Sequence, residues 1–301
     1  MTLEDALARA VLQLEAAGIG PARLSAETLM MFALHCDRAH LFAHPERELN
    51  TGEQQRFDSA VSERAAGKPV QYITGHQEFW GLDFTVNPSV LIPRPETEHL
   101  VEAVLELLRE YPRPHPRIVD VGTGSGCIIL AIAHSLAAQR ANSLAARSEK
   151  SKDSPPRNFE LHATDISPDA LHVAQQNSQQ LKLAGHINFR QANLLESETG
   201  TFDFILSNPP YVGLNEQDKV QREVREHEPH VAVFAGHHGL DIYRRLIPQA
   251  YALLRSGGWL VMEIGYSIEE QVRGLLALHP WAETRTIPDL QGIPRVLMAR
   301  K

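Results

Sequence analysis

Hydrophobic positions along the chain recur with two different spacings. Over residues 1 to about 74 they fall three and four apart, the period of helices with one buried face. Leu3, Leu7, Val11 and Leu14 form such a stripe, with Thr2 placed to cap it and Gly18, Gly20 and Pro21 to end it. A second apolar run, residues 29–34, follows Ser25. A third helix is expected from Thr51, which has capping-box spacing to Gln54, and closes at Gly67 and Pro69. The character changes over residues 75–94. There Phe79-Trp80-Gly81-Leu82-Asp83-Phe84-Thr85-Val86 places aromatic and β-branched residues around a glycine and predicts a short hairpin.

From residue 95 short apolar runs alternate with helical stretches. Strands are predicted at 118–121, 161–164, 202–206, 259–264 and 295–299. Helices are predicted at 96–109, 128–138 and from the Ser167-Pro168 start to about 181. Such alternation implies an α/β fold, a parallel sheet with helices on both faces. The expected organisation is a small N-terminal helical domain (1–74), a hairpin linker (75–94) and an α/β domain (95–301). Residues 139–158 break the rhythm. They are polar and Ser-rich with Pro155-Pro156, and read as an exposed loop inserted between a helix and the next strand.

The bulk numbers narrow the class. Of 301 residues, 43% are hydrophobic and 22% charged, as in ordinary globular proteins. No apolar run is long enough to span a membrane, and the acidic start Met1-Thr2-Leu3-Glu4-Asp5 is unlike a secretory signal. Two cysteines, Cys36 and Cys127, make neither a disulfide framework nor a metal site, so a cytoplasmic setting is expected. The net charge of −8 weighs against a nucleic-acid substrate. So do the seven basic and ten acidic residues of 1–74.

Three motifs fall at predicted strand ends. In Val119-Asp120-Val121-Gly122-Thr123-Gly124-Ser125-Gly126 a buried strand runs into glycines that open a helix. Glycine lets the backbone turn sharply and a ligand approach it. Cys127 stands where the dinucleotide fingerprint has its last glycine, so a nucleoside-bearing ligand without pyrophosphate suits the spacing better than NAD. A glycine-rich turn without any ligand is the plain alternative. Asp165 ends the next strand, where a carboxylate can accept ribose hydroxyls; it could equally be a charge facing a helix dipole. It lies 39 residues after Gly126 because the polar insertion intervenes.

Ser207-Asn208-Pro209-Pro210-Tyr211 ends the strand after that. Its prolines fix a stiff, extended bend. The Asn208 amide oxygen and the Pro209 carbonyl could hold the two N–H groups of a planar amine or amide, with Tyr211 packing on the flat group. Alone, Asn-Pro-Pro is ordinary turn chemistry; three motifs in this order at strand ends make a common site the better reading.

These motifs together resemble class I methyltransferases acting on exocyclic or amide nitrogen. Further segments narrow the resemblance. They are Gln71-Tyr72-Ile73-Thr74-Gly75, Phe79-Trp80-Gly81, Leu91-Ile92-Pro93-Arg94-Pro95-Glu96-Thr97-Glu98 and Asp289-Leu290-Gln291-Gly292-Ile293-Pro294-Arg295-Val296. With them nearly the whole chain outside 139–158 is similar to the peptide chain release factor N5-glutamine methyltransferases. That resemblance implies a Rossmann-like class I methyltransferase sheet and S-adenosyl-L-methionine as cofactor. It implies the glutamine of the Gly-Gly-Gln loop of release factors as substrate, and hence a role in translation termination.

Residue by residue, the resemblance maps the cofactor loop to Gly122, Thr123, Gly124, Ser125 and Gly126 and the ribose acid to Asp165. It maps the adenine side to Asn193 and Leu194, and the substrate turn to Asn208, Pro209, Pro210 and Tyr211, with Asn208, Pro209 and Tyr211 as catalytic residues and Asn208 also beside the cofactor. Many relatives carry aspartate where Asn193 stands; its amide oxygen can still accept from an adenine amine. No metal is implied.

Rival readings remain open. A ribosomal-protein glutamine methyltransferase would look similar but typically lacks the Pro-Glu-Thr run. An adenine-N6 DNA methyltransferase shares the substrate turn but should carry a basic recognition segment. An NAD oxidoreductase is opposed by Cys127, and a non-enzymatic cofactor-binding module by the intact substrate turn. The N-terminal helices could grip a protein substrate or only stabilise the fold. Glu263 could line the site or be a paired structural carboxylate. His227, His230 and the pair His237-His238 lack a metal-site pattern and read as polar loop histidines.

Overall fold

The computed structural model describes residues 1–146, 158–196 and 198–301. In chain order the helices are α1 (Leu3–Ala16), α2 (Ala22–Leu34), α3 (Arg38–Ala43), α4 (Thr51–Ala65), α5 (Val70–Thr74) and α6 (Glu98–Glu110). They continue with α7 (Cys127–Ala146), α8 (Pro168–Gln180), α9 (Arg222–His227), α10 (His230–Val233), α11 (Asp241–Leu253) and α12 (Glu269–Leu276). The strands are β1 (His76–Phe79), β2 (Leu82–Thr85), β3 (Arg117–Val121), β4 (Glu160–Asp165) and β5 (Ile187–Gln191). They end with β6 (Phe202–Ser207), β7 (Leu254–Glu263), β8 (Glu283–Pro288) and β9 (Pro294–Arg300). The chain forms two compact units, one of Met1–His76 with Val220–Glu228, the other of Gln77–Lys219 with Pro229–Lys301.

The first unit is helical. α1, α2 and α4 bury a common core that includes Leu3, Leu14, Leu29, Met30 and Phe57. Thr2 caps α1 by accepting the Asp5 N–H, as its position before the apolar stripe predicts. The cap of α4 is Asn50, not Thr51. Asn50 Oδ1 accepts the Glu53 N–H while Glu53 accepts the Asn50 N–H, a reciprocal box one residue ahead of the predicted one. Glu53 is fixed further by Arg47 at 2.7 Å. α9 belongs to this unit although it lies far along the chain, and the buried Arg64 pairs with its Glu223 at 2.6 Å.

The second unit is built on a seven-stranded sheet of order β5-β4-β3-β6-β7-β9-β8. β5 through β7 are parallel; β9 runs antiparallel to both β7 and β8, so the sheet is mixed rather than wholly parallel. The central strands are buried on both faces and read as near-continuous apolar runs. Ile118, Phe204 and Leu206 pack into the core containing α6 and α7, and Val119, Val121 and Ile205 into the core containing α11 and α12. A register shift between Phe202 and Phe204 sends these two phenylalanines to opposite faces.

The β1–β2 hairpin forms as predicted, and Asn177 of α8 clamps it by bonding both the N–H and the carbonyl of Thr85. Trp80 packs within the second unit, its indole N–H donating to Ser135. The inserted loop expected from residue 139 is corrected in part. α7 continues to Ala146, through an alanine- and leucine-rich stretch of high helix propensity. Residues 147–157 of that expectation lie outside the described residues.

Candidate active site

β3 is the turning point of the sheet. After it the chain moves outward to β4 and β5, then returns to β6 on its other side. A crevice opens at the carboxyl ends of strands where order reverses in this way. The glycine loop lies there. The Gly122 and Thr123 N–H groups both donate to the Thr164 carbonyl, at 2.8 and 2.9 Å, which ties the loop to the end of β4. Gly122, Gly124 and Gly126 have φ of 74°, 56° and 83°, the left-handed region that favours glycine. They differ in surroundings. A Cβ on Gly126 would stand 2.9 Å from Leu130 Cδ1 and 3.2 Å from Ala174 Cβ, whereas nothing lies within 4 Å of one on Gly122 or Gly124.

Asp165 organises the same loop. Its Oδ2 accepts the Gly124 N–H and its Oδ1 the Ser167 N–H, each at 2.9 Å. Burial pushes its carboxyl above the usual range, and these backbone donors pull it partly back. Each oxygen retains further acceptor capacity. Asp120, fully buried at the end of β3, accepts from Thr123 Oγ1 at 2.7 Å, and burial raises it to about 7. The Cys127 thiol, also buried, is pushed up to about 12 and is a packing residue at neutral pH.

The Asn-Pro-Pro-Tyr turn leaves β6, the neighbouring strand. Ser207 Oγ donates to the Val121 carbonyl at 2.7 Å and pins the two strand ends together. Asn208 Nδ2 donates to Thr97 Oγ1 at 3.1 Å, and Thr97 Oγ1 donates to Glu263 Oε2 at 2.6 Å. The other oxygen of Glu263 accepts from the Tyr211 hydroxyl at 3.2 Å. One buried carboxylate at the end of β7 thus holds both ends of the turn. Burial raises it to about 7, against the lowering influence of Thr97, Arg295 and Tyr211. Tyr243 fixes its backbone, donating to the Glu263 carbonyl at 2.7 Å.

One cavity in the second unit brings most of the expected residues together. Gly122, Thr123, Gly124, Ser125, Asp165, Asn193, Leu194, Asn208, Pro209 and Pro210 all line it. Gly126 does not; it is turned into the contact with Leu130 and Ala174. Tyr211 is not among the lining residues either. Its ring lies against Gly265, where a Cβ would come within 2.9 Å of Tyr211 Cδ2, and burial raises its hydroxyl well above the ordinary tyrosine range. Asn193 Nδ2 donates to Glu196, and the Leu194 carbonyl accepts from Thr164 Oγ1.

Sequence reasoning missed several contributors. Thr97 lies within a quoted segment, yet only the fold shows it reaching Asn208, 111 residues on. Val231 and Ala232 of α10 and Arg245 of α11 also line the cavity, from a stretch with no recognisable motif. Glu263 is the paired carboxylate of its two readings. Among the described residues no group of three or more His, Cys, Asp and Glu could hold a metal ion, and no helix is long and apolar enough to cross a membrane.

Comparison with known proteins agrees with this architecture. Residues 5–75 match the family described as PrmC N-terminal domain, and residues 113–270 match a methyltransferase domain. A protein of Koribacter versatilis named release factor glutamine methyltransferase is 50% identical over 303 residues, covering 100% of this chain and 99% of its own. A protein of Moorella thermoacetica with the same name is 42% identical, covering 99% and 98%. Among solved structures, the hMettl16 catalytic domain in complex with an RNA hairpin superposes with a TM-score of 0.55 at 17% identity. It covers 80% of this chain and 81% of that one, and supports the fold alone.

Proposed function

The chain belongs to the release factor glutamine methyltransferase family, and we propose that it methylates the side-chain amide nitrogen of the glutamine in the Gly-Gly-Gln motif of peptide chain release factors. The observation that carries this reading is the single cavity in which the glycine loop and the Asn208-Pro209-Pro210 bend meet. The proposed cofactor is S-adenosyl-L-methionine, and the residues present suit it. Gly122 and Gly124 leave open space where side chains would stand. Asp165 offers a carboxylate to ribose hydroxyls. Asn193, with its Nδ2 engaged by Glu196, leaves an amide oxygen for an adenine amine, and Leu194 supplies an apolar wall. When bound, the cofactor supplies an electrophilic methyl group on a sulfonium sulfur.

The protein's own share of the chemistry is positioning and electrostatics. A glutamine amide nitrogen is a poor nucleophile because its lone pair is delocalised into the carbonyl. Asn208 Oδ1 and the Pro209 carbonyl accept its two N–H bonds and aim it. As the nitrogen gains positive character, these fixed oxygen dipoles stabilise it. Orientation supplies much of the remaining acceleration. The spent proton leaves to water. Residues 1–74 are assigned to gripping the release factor and residues 95–301 to catalysis, in a cytoplasmic setting. Mass spectrometry of a release factor incubated with enzyme and S-adenosylmethionine tests this. One added methyl on the Gly-Gly-Gln glutamine is expected; transfer only to DNA or to a ribosomal protein would replace the reading.

A further inference from the structure

We propose that Thr97 and Glu263 are positioning residues that fix which face of the Asn208 amide meets the substrate, so that Oδ1 and not the NH2 group points to the transferred-to nitrogen. This rests on the role given to Asn208 above. A Thr hydroxyl has one proton and spare lone pairs. At 2.6 Å from Glu263 Oε2, the Thr97 proton is committed to that carboxylate, so Thr97 Oγ1 can only accept from Asn208. Only Nδ2 can donate to it, and it does so at 3.1 Å. The amide oxygen is therefore the group left for the cavity, the polarity needed to accept an N–H bond. Were the amide reversed, two N–H groups would face each other and the substrate would keep only the Pro209 carbonyl as an acceptor.

The arrangement has a second arm. Glu263 Oε1 accepts from Tyr211 at 3.2 Å, so the same carboxylate steadies the far end of the turn. Its charge state decides the direction of the relay. Protonated, Glu263 becomes a donor toward Thr97, and Thr97 can then donate to Asn208, which favours the reversed amide. The charged and titratable groups around it are Tyr211, Arg295 of β9, Glu96 ahead of α6, Cys127 of α7 and Tyr243 of α11. Glu263 ionises near neutrality because burial raises it to about 7. Turnover should fall as pH drops below that value while substrate and cofactor stay saturating.

Steady-state methylation of a release factor, with cofactor affinity measured by calorimetry, tests the proposal. Thr97→Val keeps the shape and removes the hydroxyl. It should lower kcat roughly 100-fold, the scale of a small misplacement of a reacting group, with cofactor affinity unchanged. Thr97→Ser should recover most of the rate. Glu263→Gln offers one acceptor where two are needed. It should lower kcat about tenfold, one lost hydrogen bond, and abolish the inflection near pH 7; Asp120, which also titrates there, remains and serves as the internal control.

A purely structural role would lower thermal stability in both variants and leave the pH profile of kcat intact; that result, or full turnover in Thr97→Val, overturns the proposal. Should Thr97→Val fail to fold, the wild-type profile beside that of Glu263→Gln decides. If the wild-type enzyme methylates no release factor, the functional reading fails and takes this inference with it. If the wild type is active and the variants match it, this inference alone fails.

Discussion

The glycine loop and the Asn-Pro-Pro-Tyr turn follow neighbouring strands at the same edge of one sheet, and they are built in opposite ways. The loop is made of residues with little side chain. Its shape comes from left-handed glycines, from backbone bonds to the end of β4, the very next strand in the chain, and from the Asp165 carboxylate at that same strand end. The turn is made stiff by two prolines and is held by side chains from afar, Thr97 ahead of α6 and Glu263 at the end of β7. A loop that presents backbone needs only local support, and its defects should appear in affinity and stability. A turn that presents one side-chain oxygen needs that oxygen aimed, and its defects should appear in rate.

The largest expected effect lies in the turn. Asn208→Ala removes the aimed oxygen without touching the loop, and should lower kcat by about 100- to 1,000-fold, as loss of a preorganised dipole does elsewhere. Cofactor affinity by calorimetry should be unchanged. A collapse of affinity with the rate preserved would break the comparison, because the turn would then be part of the cofactor's own support.

The next effect separates the glycines of the loop from one another. Gly126→Ala combines a left-handed φ of 83° with contacts of 2.9 Å to Leu130 and 3.2 Å to Ala174. The backbone cost is about 1–2 kcal/mol and overpacking adds about 1–3 kcal/mol. Thermal denaturation should show a clear drop in the midpoint. Because Gly126 does not line the cavity, the protein that remains folded should bind cofactor nearly as wild type. A stable variant with lost affinity would place Gly126 in the binding surface instead of in the packing between α7 and α8.

The same contrast explains what could be read from the sequence. The loop was legible because its logic is local. Glycine spacing, a preceding apolar run and a strand-end acid lie within the reach of pattern, even with the insertion between them. The turn was legible as a motif, but not its support, since Thr97 and Glu263 come to it only through the order of the strands. Edge elements were missed for a different reason. β5 and β8 carry mostly exposed or half-exposed residues and lack the alternation that marks a strand with one buried face. β9 was found as a strand, but nothing in its residues announces that it runs against its neighbours. The cap of α4 slipped by one residue because Asn50 and Thr51 are both good caps, and the reciprocal bond to Glu53 decided between them.

The smallest of the expected effects tests whether the loop's acid acts through the loop or beyond it. Asp165 already accepts from Gly124 and Ser167, so its carboxylate has a structural task whatever it binds. Asp165→Ala frees both donors and removes the acceptor offered to a ribose. The expected loss is about 1.5–3 kcal/mol of cofactor affinity, the range for hydrogen bonds to a charged group, with kcat at saturating cofactor little changed. The carboxyl is raised by burial, which fixes the sign of the pH dependence. Affinity should fall as pH drops through the raised value, because the protonated acid loses acceptor strength, and Asp165→Ala should not show that fall. Asp165→Asn sharpens the point. Its single oxygen can serve Gly124 or an outside hydroxyl but is poorly placed to serve Ser167 as well. An affinity midway between wild type and alanine would assign part of the energy to each task, whereas wild-type affinity in both variants would leave Asp165 with the loop alone.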